Sequence, residues 1–125
     1  MSVDKVITVL LVDDEPDMRL MVRLHLDRDP RFQIVGEADN GEDAVEQCRQ
    51  LQPDVVLLDM KMPTMDGMTA LPLMRGACPD TAVLLFTAFA DLVDPEAVRE
   101  HDAEMVEKSA PIPWVADRLF ERGRA

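Results

Sequence analysis

The segment Val55-Val56-Leu57-Leu58-Asp59 contains four consecutive apolar residues followed by a carboxylate. An apolar run of this length, entered from Pro53-Asp54 and left through Lys61-Met62-Pro63, predicts a strand buried on both faces, as in a parallel sheet. Asp59 would lie at its carboxyl end, the edge at which open α/β sheets bind ligands. A strand-ending aspartate can also simply cap the following turn. Asp59 alone therefore leaves a structural and a functional interpretation open.

The composition predicts one domain over residues 1–125. Apolar residues make up 47% of the chain, and a chain of this length can bury a substantial core. Cys48 and Cys78 lie far apart, outside any CxxC motif, and no secretory leader is recognisable at Met1-Ser2-Val3-Asp4. These features argue against a structural zinc site and favour the reducing cytoplasm. No apolar run approaches the length of a membrane span, so we expect a soluble protein without membrane contact.

The chain is strongly acidic. It carries 25 acidic and 13 basic residues, for a net charge of −12. Such a charge repels phosphate backbones, so we expect no direct nucleic-acid binding by this domain. It is compatible with a bound cation or with docking on a basic partner surface.

Strand-like and helix-like patterns alternate along the whole chain. Predicted strands lie at 6–12, 32–38, 55–59, 82–87 and 105–107, and predicted helices at 17–28, 42–50, 68–75, 94–99 and 112–122. Five strand–helix units in this order predict an α/β fold with a doubly wound, five-stranded parallel sheet.

Four local features give further expectations. The core face of the first helix is predicted from its 3.6-residue spacing to consist of Met18, Met21, Val22 and His25. Leu20 and Leu24 form a second apolar pair, which is either the edge of the core or a docking surface. Cys48 is predicted to be a small core residue. Gly67 is predicted to supply a positive φ in the loop after Asp59.

Polar residues follow four of the predicted strands where each strand ends. They are Asp13-Asp14, Asp59, Thr87 and Lys108. Because the carboxyl ends of parallel strands meet at one edge of a sheet, we expect these side chains to gather there. Each has an ordinary structural explanation as a cap, a strand-end hydroxyl or a solvated charge. Their combination favours a functional site.

The chemistry of this set favours phosphoryl acceptance. Converging carboxylates repel one another unless a hard cation compensates, and oxygen ligands suit Mg²⁺ or Mn²⁺ better than zinc. A metal at Asp14 and Asp59, with Asp13 directly or through water, would leave one Asp59 oxygen free to attack phosphorus in line. Lys108 could then pair with a phosphoryl oxygen, and Thr87 could donate a hydrogen bond to it.

Five segments together resemble a known family. They are Val9-Leu10-Leu11-Val12-Asp13-Asp14-Glu15, Asp54-Val55-Val56-Leu57-Leu58-Asp59-Met60-Lys61-Met62-Pro63, Met65-Asp66-Gly67, Leu85-Phe86-Thr87-Ala88 and Glu107-Lys108. In these segments the chain resembles the response-regulator receiver domain of two-component signalling, in the CheY-like superfamily. The resemblance spans nearly the whole chain.

The resemblance implies a flavodoxin-like strand order 2-1-3-4-5 with helices on both faces. Asp59 would accept a phosphoryl group from the phosphohistidine of a sensor histidine kinase or from a phosphotransfer protein, and Thr87 and Lys108 would sense it. The implied metal ligands are Asp13, Asp14, Asp59 and the backbone carbonyl of Lys61. The only implied catalysis is self-phosphorylation from small phosphodonors and slow autodephosphorylation, so we do not expect an enzyme.

The resemblance places the output face at helix 4, strand 5 and helix 5, which would act on a separate output protein or on a C-terminal output domain. Phosphorylation would draw Thr87 inward, and in most members an aromatic side chain then turns into the vacated space. Here that position is Met105, whose flexible side chain is less restricted to particular rotamers than an aromatic ring is. The glycine that usually precedes strand 5 is also missing from His101-Asp102-Ala103-Glu104. We therefore expect this face to differ from that of relatives.

Two surfaces beside the site lead to hypotheses. Leu20 and Leu24 are candidates for docking a kinase or phosphotransfer protein. Lys61 and Phe89 flank the site, and their bulk or charge could hinder the water that hydrolyses the aspartyl phosphate, which would lengthen its lifetime. The alternative is that both side chains are partly exposed and have no kinetic role.

Three other functions compete with this interpretation. A docking or scaffold protein could keep the fold and signal through the altered output face, with phosphorylation irrelevant. A phosphohydrolase of the dehalogenase type would carry a second aspartate two residues after its nucleophile, where this chain has Lys61. A flavodoxin would need a phosphate loop rich in Ser, Thr and Gly after the first strand, whereas Asp13-Asp14-Glu15-Pro16 has the opposite charge character.

Overall fold

Five parallel strands form one sheet in the order β2-β1-β3-β4-β5. The computed structural model describes residues 5–125, so the sequence Met1-Ser2-Val3-Asp4, in which we found no leader, lies outside the described residues. The strands are β1 (Ile7–Val12), β2 (Phe32–Ala38), β3 (Val55–Asp59), β4 (Ala82–Thr87) and β5 (Ala103–Glu107). The predicted doubly wound α/β fold and its strand order are confirmed.

The helices are α1 (Pro16–Asp27), α2 (Gly41–Leu51), α3 (Gly67–Ala77), α4 (Pro95–Glu100) and α5 (Ile112–Arg124). A single 3₁₀ turn, Ala90–Leu92, precedes α4, which is as short as the sequence predicts. Within residues 5–125, none of the helices combines the length and the apolar character that crossing a membrane requires.

Strand β3 lies in the middle of the sheet, paired with β1 on one side and β4 on the other. All five of its residues are buried. Alternate residues point to opposite faces of a strand, so Val56 and Leu58 pack into one core with residues of α2, α3 and α4. Val55 and Leu57 pack into a second core with residues of α1 and α5. Burial on both faces explains why the β3 sequence is continuously apolar.

The buried face of α1 differs from the predicted one at Met21. Val22 and Leu26 are its buried residues, whereas Met21 is 54% exposed. Successive helical residues are separated by about 100° around the axis, and the i, i+4 pair of Val22 and Leu26 turns Met21 toward solvent. Leu20 and Leu24 are 42% and 46% exposed. This apolar pair therefore lies on the surface and not at the edge of the core.

Gly67 does not have the predicted positive φ. No glycine within residues 5–125 has one, and the left-handed position of this loop is Thr64, with φ of 69°. Gly67 is instead the first residue of α3 and donates its N–H to Met60 O at 2.7 Å. A Cβ atom at Gly67 would lie 2.2 Å from the backbone oxygen of Asp59. Glycine is required here because α3 starts directly against the end of β3.

Cys48 and Cys78 form a disulfide that the sequence did not indicate. Cys48 lies on α2 and Cys78 caps the end of α3, and both are fully buried in the core between these helices. The prediction that Cys48 is a core residue is confirmed. The pairing removes cysteine usage as an argument for a reducing compartment, so the cytoplasmic location stays a prediction.

Candidate functional site

Asp13, Asp14 and Asp59 come together at the carboxyl edge of the sheet. One carboxylate oxygen from each residue lies within 4.8 Å of those from the other two. Asp13 and Asp59 are buried, with only 5% and 4% of their surface exposed, while Asp14 is exposed. The adjacency of β1 and β3 in the sheet brings these carboxylates together.

The backbone around Asp13 is firmly held. Its N–H donates to Ala38 O on the neighbouring edge strand at 3.0 Å. Its Oδ1 accepts a hydrogen bond from the N–H of Glu15 at 2.9 Å, which forms a turn before α1; this bond is not a helix cap, because the N-cap of α1 is Glu15. The other carboxylate oxygen of Asp13, Oδ2, remains available to the site.

Lys108 supplies the positive charge of the cluster. Its Nζ lies 2.9 Å from Asp13 Oδ2 and 3.3 Å from Asp59 Oδ2. The side chain is only 7% exposed, and the backbone N–H of Lys108 donates to Thr87 O at 2.8 Å. The end of β5 is thereby aligned with the end of β4, and the ammonium lies directly beside the Asp59 carboxylate.

Glu15 is a member of the cluster that sequence reasoning missed. Its Oε1 accepts a hydrogen bond from Lys108 Nζ at 2.8 Å, although the Glu15 side chain is 62% exposed. Glu15 is the N-cap of α1, but its carboxylate makes no capping hydrogen bond and is free to reach Lys108. The signal in the sequence was its position as a third consecutive acid after Asp13-Asp14.

The cluster carries an excess of negative charge. Burial raises the pKa of Asp59, the nearby Asp13 carboxylate raises it further, and Lys108 opposes the shift, so that the net pKa is about 7. Burial lowers the pKa of Lys108, but its hydrogen bonds to Glu15 and Asp13 outweigh this and hold the pKa above its ordinary value. One ammonium therefore faces several carboxylates, and a second cation would relieve their repulsion.

The donor set fits a hard divalent cation. Three carboxylates at this separation offer oxygen ligands only, and Asp14 leaves one side of the group open to solvent. Mg²⁺ and Mn²⁺ favour oxygen ligands and retain several waters, whereas structural zinc sites are dominated by sulfur and nitrogen. The acidic cluster is thus compatible with metal binding.

Thr87 lies at the end of β4, fully buried. The sheet register pairs Asp59 with Phe86, so Thr87 is one residue beyond that pair at the same edge. Its hydroxyl accepts a hydrogen bond from the N–H of Phe89 at 2.9 Å and donates weakly to the sulfur of Met60 at 3.9 Å. The structure therefore brings Thr87 to the site while its hydroxyl contacts Met60 and the Phe89 backbone.

Lys61 and Phe89 contact each other two residues beyond Asp59 and Thr87, respectively. Lys61 Nζ lies 4.4 Å from the centroid of the Phe89 ring, in the range of a cation–π interaction. The Lys61 residue is exposed, and Phe89 is 42% exposed. The two side chains connect the loop after β3 with the loop after β4.

Met105 lies on β5 opposite Leu85 of β4 and is half-buried. It lines a groove of about 350 Å³ between α4 and α5. The salt bridge from Arg118 to Glu104, at 2.7 Å, connects α5 to β5 beside this groove. Met105 is therefore partly open to solvent.

Comparisons with known proteins agree with this geometry. A family model described as the response regulator receiver domain matches residues 9–112. The chain is similar to the protein-glutamate methylesterase/protein-glutamine glutaminase of Thermotoga maritima, with 33% identity over 128 aligned residues. That alignment covers 97% of this chain but only 37% of the relative, so the likeness concerns about a third of the longer protein.

Solved structures extend the likeness. The response regulator domain of Thermotoga maritima CheB matches with a TM-score of 0.86 and 27% identity, covering 97% of this chain and 98% of that one. A chain of the CheX–CheY–BeF₃–Mg²⁺ complex from Borrelia burgdorferi matches with a TM-score of 0.74 and 26% identity, covering 92% and 87%. Together with the sheet order and the acidic edge, the family match shows that this chain belongs to the response regulator receiver domain family, a family of signalling domains of two-component systems.

Proposed function

We propose that residues 1–125 form one phosphoacceptor signalling domain, in which Asp59 receives a phosphoryl group from a sensor histidine kinase or a phosphotransfer protein. The observation that carries this proposal is the placement of the buried Asp59 carboxylate 3.3 Å from Lys108 Nζ at the ligand-binding edge of the sheet. A nucleophile and a cation for the incoming phosphoryl oxygens are thus adjacent.

The transfer forms one bond and breaks one. An oxygen of the Asp59 carboxylate attacks phosphorus, and the bond from phosphorus to the donor nitrogen breaks, with its electron pair leaving on the imidazole of the phosphohistidine. With a small donor such as acetyl phosphate, the phosphorus–oxygen bond breaks and acetate leaves. Lys108 would pair with a phosphoryl oxygen of the product. Thr87, one residue beyond the pair of Asp59 and Phe86 in the sheet register, would donate a hydrogen bond from its hydroxyl to a second phosphoryl oxygen.

Asp13, Asp14, Asp59 and the backbone carbonyl of Lys61 would hold Mg²⁺ or Mn²⁺. When bound, the cation supplies charge neutralisation and Lewis-acid polarisation of the phosphoryl oxygens. The residues themselves set up the site: Asp13 is held by backbone hydrogen bonds, and Lys108 is held against Asp13 and Asp59. The pKa of Asp59, raised to about 7, means that a metal would also favour its ionised, nucleophilic form.

The partner surface is proposed to include α1. Leu20, Met21 and Leu24 are all exposed, and they lie on the helix that begins directly after the acidic cluster. The complex of CheX with CheY among the similar structures supports partners of the signalling type. The net charge of −12 favours a basic protein surface and disfavours nucleic acid.

Output is proposed to pass through α4, β5 and α5. Phosphorylation adds roughly 1.5 to 2 negative charges, which would draw the Thr87 hydroxyl away from Met60. Met105, in place of the aromatic side chain of most family members, would then turn into the vacated space. The groove that Met105 lines would change shape. Met105 is half-buried and its flexible side chain adopts several rotamers, so it would couple phosphorylation to this face less sharply than an aromatic ring. Docking at this face without phosphorylation is therefore the second candidate function.

The proposal is tested by locating the modified residue. Incubation with acetyl phosphate and Mg²⁺, followed by borohydride reduction, would convert an aspartyl phosphate to homoserine, which peptide mass spectrometry can place. We expect conversion at Asp59. Conversion at Asp13 or Asp14 would contradict the assignment, and an unmodified chain with an intact fold would favour the docking function.

A further inference from the structure

Arg19 connects the metal-ligand segment to the edge of the sheet. Its Nη1 donates a hydrogen bond to the backbone oxygen of Asp13. Its Nε donates to Glu37 Oε1 at 3.1 Å. The Arg19 side chain is only 23% exposed, so both contacts are partly shielded from water and are stronger than surface ion pairs.

Glu37 is held in turn by its surroundings. Its second oxygen, Oε2, accepts a hydrogen bond from Arg23 Nη1 at 3.1 Å. Its backbone oxygen accepts one from Gln47 Nε2 on α2 at 2.7 Å. The sheet register places Glu37 opposite Leu11 of β1, two residues before Asp13. Arg19 is therefore fixed at its Glu37 end before it reaches Asp13.

These contacts complete the restraint on Asp13. Its N–H is held by Ala38 O, its carbonyl by Arg19 and its Oδ1 by the N–H of Glu15. The peptide that joins Asp13 to Asp14 contains this carbonyl, so its orientation determines where the Asp14 side chain leaves the backbone. Mg²⁺ requires near-ideal octahedral ligand positions. A small rotation of this peptide would displace both carboxylates from such positions.

We propose that Arg19 is a positioning residue for the cation site, with Glu37 as its anchor. By holding the carbonyl of Asp13, Arg19 sets the direction in which the Asp13 and Asp14 carboxylates point, and through this the affinity of the site for Mg²⁺. The inference rests on the metal site of the proposed function, but it concerns cation affinity and does not require phosphorylation.

The test measures Mg²⁺ binding by calorimetry, without a phosphodonor, on the native chain and on matched variants. Arg19→Met removes the contact with Asp13, and Arg23→Met removes the same charge and a contact with Glu37 but no contact with Asp13. We expect Arg19→Met to weaken Mg²⁺ binding roughly tenfold, as loss of groups that orient metal ligands does. We expect Arg23→Met to stay close to the native affinity and Arg19→Lys to restore part of the loss.

Urea unfolding without metal serves as the stability control. Native affinity in Arg19→Met, or equal weakening in both methionine variants, would overturn the positioning role while leaving the metal site intact. A native chain that binds no Mg²⁺ would overturn both this inference and the metal part of the proposed function. If Arg19→Met fails to fold, Glu37→Gln replaces it: weaker Mg²⁺ binding supports the inference, and unchanged binding overturns it.

Discussion

The Nζ of Lys108 lies 3.3 Å from the Oδ2 of Asp59, and this ion pair is shared with Asp13 at 2.9 Å. One buried ammonium therefore serves two buried carboxylates. Because burial and Asp13 outweigh the attraction of Lys108, the pKa of Asp59 is raised to about 7. The carboxylates at this edge of the sheet therefore outnumber the ammonium group that pairs with them.

This relationship predicts how stability depends on pH. The pKa of Asp59 in the folded chain exceeds that of an unfolded aspartate, about 3.9, so the native state binds this proton more tightly. Its stabilising contribution is complete below about pH 4 and is lost as the pH rises through about 7. In EDTA, we expect the free energy of unfolding to fall between pH 5 and pH 8 by more in the native chain than in Asp59→Asn.

Urea denaturation at several pH values measures this difference. Lys108 stays protonated throughout the range, since its pKa is raised, and it does not confuse the comparison. Mg²⁺ should stabilise the native chain more at pH 8 than at pH 5, because ligands must be deprotonated to bind. If the free energy of unfolding depends on pH in the same way in the native chain and in Asp59→Asn, burial does not disfavour the ionised form of Asp59.

The contact between Lys61 and Phe89, at 4.4 Å from ammonium to ring centroid, predicts a long phosphorylated lifetime. The two side chains join the loops that follow Asp59 and Thr87, and we expect them to hinder the hydrolytic water there. We expect Phe89→Ala and Lys61→Asn each to accelerate dephosphorylation several-fold, measured as loss of the phosphorylated mass with time. Leu92→Ala, at a residue 69% exposed on the neighbouring 3₁₀ turn, is the control. Unchanged rates in both site variants would refute a kinetic role for the contact.

The exposed pair Leu20 and Leu24 predicts selective loss of partner recognition. Replacing both with Lys should slow phosphotransfer from the cognate kinase but leave modification by acetyl phosphate unchanged, because neither side chain belongs to the site. Leu51 and Leu73 are similarly exposed, at 41% and 47%, and lie on α2 and α3. Their double Lys variant should transfer normally. Equal losses with the kinase and with acetyl phosphate would indicate a damaged fold instead of a docking surface.

The centre of the sheet could be predicted from the sequence because its strands have continuously apolar sequences that end in polar residues. β3 and β4 are continuously apolar since both of their faces are covered, and the polar residues that end them mark the carboxyl edge. The start of β5 was placed too late, because Ala103 and Glu104 lack β-branched or aromatic side chains. Pairing of Ala103 with Val83 on β4 extends this strand regardless of its weak local signal.

The remaining differences arise from tertiary contacts. The disulfide joins residues 30 positions apart on two helices, and nothing local indicates that these helices lie side by side. Gly67 is required by the approach of α3 to Asp59 O, which has no sequence signature distinct from a turn glycine. The contact of Glu15 with Lys108 spans 93 positions. Spacing indicates which face of a segment is apolar, whereas such contacts depend on the assembled sheet.

The most direct measurement of the central claim is intact-mass spectrometry after incubation with acetyl phosphate and Mg²⁺. The native chain should gain the mass of one phosphoryl group, and the gain should be absent in Asp59→Asn and after chelation of the metal. Asp66→Asn, at the exposed N-cap of α3, is a control that should be modified like the native chain. An equal gain in Asp59→Asn, or no gain by a folded native chain from either acetyl phosphate or a cognate kinase, would contradict the assignment of Asp59 as the phosphoacceptor.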